Sequence, residues 1–147
     1  MKIWNLPAWL IPLTLLLTAC ASEHEQKNVV LIVVDTLRAD RMGLYGYERP
    51  TTPELERFAE TAVTFDRAYS PASWTRPSIA SFFTGLYPST HGCETKDDPL
   101  DAAHQTLAEL FSAKGYATVG FHANQNIGAV FGFDQGFDRY EAAVPNA

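Results

Sequence analysis

The stretch Ser73-Trp74-Thr75-Arg76-Pro77-Ser78-Ile79-Ala80-Ser81-Phe82-Phe83-Thr84-Gly85-Leu86-Tyr87-Pro88-Ser89-Thr90-His91-Gly92 decides how this chain is read. Pro77 suits the first turn of a helix, where its missing N–H costs nothing and its fixed φ is already helical. Ile79, Phe82 and Phe83 then recur at i, i+3 and i+4, one apolar face, and Gly85 is a natural stop. Thr75 is expected just ahead of that helix, its hydroxyl beside unpaired N–H groups and the positive end of the helix dipole. An anionic group is favoured at such a place. Two readings stay open: Thr75 or Ser78 is only a helix cap, or Thr75 presents its hydroxyl to an anion.

Upstream, Val29 to Val34 is a continuous aliphatic run rich in valine. Such a run predicts a strand buried on both faces of a parallel sheet. Asp35 follows it at once. An acid at the carboxyl end of a strand in an α/β sheet is a candidate metal ligand or base, or else a turn residue. Thr36 to Pro50 reads as a loop whose Arg38, Asp40 and Arg41 either line a site or form a solvated ion-pair cluster. Thr51-Thr52-Pro53-Glu54 opens a helix burying Leu55, Phe58, Ala59 and Ala62, and Val63 to Tyr69 alternates as a second strand.

Downstream, Cys93 to Asp101 is polar and loop-like. A helix from about Ala102 to Lys114 is expected to bury Leu107, Leu110 and Phe111, with Gly115 capping it. Tyr116 to Phe121 is a third strand, with His122 and Asn124 just past its end. Asn126 to Tyr140 shows no clear period. The alternation of strands and helices predicts an α/β fold with parallel strands.

The ends and the composition narrow the class. Residues 1–19 carry Lys2, a short apolar run and small residues, and read as an export signal rather than a membrane span. Leu17-Thr18-Ala19-Cys20 resembles the lipobox of bacterial lipoproteins, which implies lipidation at Cys20, although cleavage around Ala19-Cys20-Ala21 fits the small-x-small form too. Residues 20–27 read as a tether and 28–147 as the folded part. Because position 21 is alanine and not aspartate, the resemblance implies a lipid-anchored protein of the bacterial cell envelope, on the periplasmic side and at the outer membrane rather than the inner. Of 147 residues the formal net charge is −6, and losing Lys2 takes it to −7, which argues against nucleic acid as a partner. With Cys20 lipidated Cys93 is unpaired; without lipidation a Cys20–Cys93 bridge is open.

Taken together, Asn28 to Asp40, Thr52-Pro53, Pro77-Ser78, Thr84-Gly85-Leu86-Tyr87-Pro88, Lys114-Gly115-Tyr116-Ala117-Thr118 and Gly136-Phe137-Asp138 resemble the amino-terminal part of the sulfatase family within the alkaline-phosphatase superfamily. The resemblance implies a mixed sheet with helices on both faces and hydrolysis of sulfate or phosphate-type esters by a metal-bound nucleophile at a helix N-terminus. It places Thr75 at the nucleophile position and Asp35 at the first metal-binding aspartate, so the metal ligands expected here are Asp35 and Thr75. The implied cofactor is a divalent metal: calcium for a sulfatase-like site, zinc, manganese or magnesium otherwise. The implied partner is a small-molecule or glycan ester.

The chain departs from the family pattern at several positions. Thr75 is neither Cys nor Ser, so formylglycine is not expected, while phosphodiesterase and phosphoethanolamine-transferase relatives use threonine directly. Ile79 stands at the motif's arginine and Thr36 at a second metal-binding aspartate. The family's Gly-Lys-Trp-His-Leu-Gly element has no clean match, and His122 is out of register with it. The later Asp-Asn or Asp-His ligands lie beyond residue 147, so the chain reads as an amino-terminal fragment, inactive alone. Three functions follow as alternatives: a sulfate-ester hydrolase, a phosphodiesterase or phosphoryl transferase with a threonine nucleophile, or a non-catalytic envelope lipoprotein.

Overall fold

The structure, a computed structural model, describes residues 27–143. The expected leader, Cys20 and nearly all of the tether lie outside the described residues. The described residues divide into two separate units, 27–34 and 35–143. In the first, Val29 to Val34 carries no strand assignment, and its aliphatics are exposed, Val30 by 80%. The expectation of a buried strand is corrected. Valine and isoleucine favour strands because they fit a pleated, half-covered surface, and β propensity acts only where that surface exists.

The second unit begins with two short 3₁₀ turns, Ala39–Arg41 and Gly43–Tyr45. Helix α1, Pro53–Ala59, starts where its threonine and proline predict, with Thr52 at the cap position. Thr52 spends its hydroxyl elsewhere, accepting from the Gly43 N–H at 3.2 Å. No residue of α1 is buried, so the predicted stripe is also corrected, and Val63 to Tyr69 forms no strand. The same cause applies to both: among the described residues nothing covers their apolar faces.

Helix α2, Thr75–Thr84, is the centre of the unit. Its cap is Trp74, in extended conformation, and Gly85 ends it at φ +70°, where an L side chain is strained. The buried face is Ile79 and Ala80, with Phe83 packed beside them; Phe82 points to solvent. Cys93, Leu100 and Phe133 complete the core, joined by Ile127, Phe131 and Tyr140. Phe83 meets Phe133 and Phe137 at ring separations of 5.9 and 5.7 Å, tilted as aromatic quadrupoles prefer. Far from being a plain polar loop, 93–101 thus contributes two core residues.

A one-turn helix α3, Pro88–His91, brings His91 into the interior. Helix α4 spans only Leu107–Ser112, shorter than predicted, and buries Ala108 while Leu107 and Leu110 are exposed. A reciprocal capping box explains its start: Thr106 accepts from the Glu109 N–H and the Glu109 carboxylate accepts from the Thr106 N–H. Strand β1, Val119–His122, pairs in parallel with β2, Arg139–Ala142, an element the sequence pattern did not show. Gly136, at φ +79°, is the hinge of the return: a Cβ there would lie 2.3 Å from the Glu109 backbone nitrogen. The class is α/β, with one parallel pair among the described residues. No helix among them is long and apolar enough to cross a membrane.

His91 has a definable tautomer. Its Nδ1 accepts from the Cys93 N–H at 3.1 Å, so the ring proton sits on Nε2, facing Ser81 Oγ at 3.1 Å. Burial holds its pKa below the ordinary 6.5. A histidine whose folded pKa is depressed binds its proton first in the unfolded chain, so stability is complete above pH 6.5 and is lost as pH falls toward the native value. Urea midpoints are expected to stay level from pH 8 to about 6.5 and to drop below it, with a shallower drop in His91→Gln; an identical acid limb in the variant refutes the assignment.

Candidate active site

The acid that follows the aliphatic run and the helix-start hydroxyl meet. Thr75 is the first residue of α2, and its Oγ–H donates to Asp35 Oδ2 at 3.0 Å. The cap position itself is Trp74, which makes no side-chain capping bond. Ser78 is not a cap either, since its hydroxyl lies 2.8 Å from that of Ser70.

Asn124, one residue short of the 3₁₀ turn Gln125–Ile127, closes the group. Its Nδ2 donates to Asp35 Oδ2 at 2.7 Å and to Thr75 Oγ at 3.3 Å. Its Oδ1 accepts the Asn126 N–H at 2.9 Å, which fixes which end of the amide faces the acid. The sequence reading noted Asn124 only as a neighbour of a strand end. The signal available was the Asn-x-Asn spacing, an Asx turn whose side-chain amide is left to point outward.

Asp35 stands on a strained turn. Thr36 adopts φ +63°, uncommon for a β-branched residue, and its hydroxyl lies 3.4 Å from Asp35 Oδ1. The Asn124 amide, above the smaller contributions of Thr75 and Thr36, holds the Asp35 carboxyl below its ordinary 3.8. The acid is therefore a fixed anion at neutral pH. Beside it, the first-turn N–H groups of α2 lack intrahelical acceptors and carry the positive end of the helix dipole.

Asp35 and Thr75 are suitable oxygen donors for a hard divalent cation. They supply two of the six or more ligands that calcium takes, and among the described residues no group of three or more His, Cys, Asp or Glu could hold a metal. The pair is thus a portion of such a site in donor type.

Other candidates fall outside the group. Arg38 pairs with Asp40 at 2.6 Å in solvent, and Arg41 stacks on Tyr47. His122 lies on Tyr140, ring centroids 5.0 Å apart, with its Nδ1 2.9 Å from the Asn124 carbonyl, a packing position. Cys93 is a free, buried thiol donating to the Asp98 carbonyl at 3.3 Å, its pKa raised by burial. It has no thiolate character to offer.

Known proteins align over the same region. The family model for sulfatases matches residues 27–145. An ulvan-active sulfatase of Formosa agariphila is 36% identical over 96 residues, 65% of this chain and 19% of that protein. Arylsulfatase A of Bos taurus is 36% identical over 114 residues, 72% of this chain and 22% of the relative. A solved structure, described as a complex with its substrate D-glucosamine-2-N,6-O-disulfate, superposes with a TM-score of 0.61 at 26% identity, covering 69% of this chain and 20% of that one. The chain therefore spans about a fifth of the length of the relatives it matches.

Two measurements check this geometry. Because the Asn124 bond favours the carboxylate, Asn124→Ala should raise the Asp35 pKa toward 3.8 in a carbon-13 titration; an unmoved value means that the bond is not made in solution. With only two donors, calcium binding to the chain is expected to be weaker than about 1 mM by calorimetry, and micromolar affinity overturns the two-donor description.

Proposed function

The chain belongs to the sulfatase family, and on that premise we propose that it carries the nucleophile end of a sulfate-ester hydrolase, with Thr75 as nucleophile. The observation supporting this is convergence: Asp35, Thr75 and Asn124, as many as 89 positions apart, share one hydrogen-bonded group at the start of α2. Asp35 draws the Thr75 hydroxyl hydrogen to itself and leaves an oxygen lone pair free to attack. The first-turn N–H groups of α2 face the place where an anionic ester oxygen would lie, and stabilise charge that develops there.

The covalent step balances without an outside reagent. The Thr75 Oγ–S bond forms, the S–O bond to the alcohol breaks, and the departing alkoxide leaves as the alcohol with the threonine proton. Water then cleaves the threonine ester. Asp35 and Thr75 would hold the divalent cation, which when bound supplies positive charge against the carboxylate and the ester oxygens.

Threonine favours a second reading. With one hydroxyl it makes no geminal diol, the species through which formylglycine enzymes expel sulfate. Turnover must then come from attack of water on the esterified centre, a course suited to phosphorus. A phosphodiesterase or phosphoryl transferase is the reading that this side chain supports. In either case the substrate class is a small-molecule or glycan ester. A lipid anchor at Cys20 on the periplasmic side of the envelope is proposed with it, resting on Leu17-Thr18-Ala19-Cys20.

The test compares aryl sulfate, phosphate monoester and phosphodiester, with and without divalent metals, using the chain alone and fused to the remaining portion of a relative. Thr75→Ala is expected to lower kcat by about a thousandfold or more, with Thr75→Ser retaining activity. An unchanged rate in Thr75→Ala, or no hydrolysis by the fused protein, removes the proposal.

A further inference from the structure

Arg76 is the largest fully buried side chain of the described residues, 2% exposed, and, after the Thr95 N–H bond, its charge also helps hold the nearby Asp98 carboxyl below its ordinary range. Its hydrogen bonds all go to backbone oxygen. Nε donates to the Asn126 carbonyl at 2.9 Å, while Nη1 reaches the carbonyls of Lys96 and, at 3.4 Å each, of Thr95 and Asp98. The guanidinium carbon lies 3.5 Å from the centre of the Phe131 ring and 5.8 Å from that of Trp74. A desolvated guanidinium demands that every one of these acceptors stay in place.

What the acceptors are attached to matters. Asn126 gives its carbonyl to Arg76 and its N–H to Asn124 Oδ1. Asn124 in turn donates its Nδ2 amide inward, to Asp35 and to Thr75. Arg76 is the next residue after Thr75 on the same turn of α2. One side chain thus fixes the candidate nucleophile through the helix that they share, and fixes the amide facing that nucleophile through a single residue, Asn126. The 95–98 carbonyls anchor the other side of the fork to a segment outside the site.

We propose that Arg76 is a positioning residue that sets the Asn124 amide against the Thr75 hydroxyl through the backbone of Asn126. It touches neither the substrate nor the reacting atoms. Only in naming Thr75 as the atom served does this rest on the proposed function; the clamp itself is a property of the fold. Lysine keeps the charge but is a single point, unable to hold the Asn126 carbonyl and the 95–98 carbonyls at once. The fork, more than the charge, is what positions.

Amide exchange by NMR on the isotopically labelled full chain separates this from general support of the core. In wild type the Arg76 Nε–H signal should exchange slowly and show contacts to the Phe131 ring. In Arg76→Lys the Asn126 N–H is expected to exchange at least about tenfold faster, with the Asn124 side-chain signals displaced, while the β1–β2 amides and the His91-bound Cys93 N–H keep their protection. An unprotected Arg76 Nε–H in wild type overturns the proposal, as does an unmoved Asn126 in the variant. Equal loss of protection throughout Arg76→Lys also overturns it, by making Arg76 a plain stability residue. Where the fused protein hydrolyses an ester, Arg76→Lys should lower kcat with little change in KM; absence of hydrolysis in wild type defeats the functional reading and leaves the exchange result to judge the clamp.

Discussion

A buried guanidinium whose hydrogen bonds all go to peptide oxygens is the constraint around which residues 70–140 are arranged. Removing a guanidinium from water costs several kcal/mol unless its donors are met, and Arg76 meets them with peptide oxygens from two separate segments and with an aromatic face. Those carbonyls have to converge, which bends 95–98 and 124–127 toward the start of α2. Cys93 and Leu100, on either side of the first segment, then fall into the core beside Ile79 and Ala80. Ile127 and Phe131, after the second, pack against them. The polar clamp and the apolar core are two sides of one arrangement, since the carbonyls cannot point inward without their flanking side chains following.

Much of this was legible in the sequence, and the reasons differ by element. Pro77 and Gly85 marked α2 because each acts through its own backbone, whatever surrounds it. Thr52-Pro53 marked α1 for the same reason. The two strands expected at 29–34 and 63–69 did not form, because side-chain preference for a sheet expresses a fit to neighbours. Strand β2 went unseen for the converse reason: Arg139, Tyr140, Glu141 and Ala142 hardly alternate, and it is the parallel pairing with β1 that makes them a strand. The Thr106–Glu109 box was readable from its spacing, yet the apolar period around it suggested a longer helix than the cap and the following turn allow.

The site was half legible. Asp35 and Thr75 each stood at a place where local rules put chemistry, the end of an aliphatic run and the start of a helix. Asn124 needed its partner at 126 to become informative. Arg76 carried a signal of another kind. Positions 76, 79, 80 and 83 share one helix face, the face that is buried, so helical period alone sets a charged residue among Ile79, Ala80 and Phe83. A charge on the inward face of a short helix is a demand for acceptors, and the acceptors had to come from elsewhere in the chain.

The three members of the site are not held alike, and this bears on how it operates. Thr75 is fixed by α2, whose inner face lies in the core, and Asn124 by a turn tied to the buried guanidinium. Asp35 is exposed, follows an exposed run and precedes a threonine in a left-handed conformation. Its bonds to Thr75 and Asn124 lie near solvent, where such bonds contribute little net stability, about 1 kcal/mol each. The rigid pair thus defines where the Thr75 hydroxyl and the Asn124 amide sit, and the exposed acid bonds to both. An anion entering beside Thr75 meets the Asp35 charge directly, so occupancy by anionic substrate alone works against the acid's position, whereas positive charge bound between them satisfies both. Under the proposed function this electrostatics favours cation first and ester second, with Asp35 settling as the cation binds.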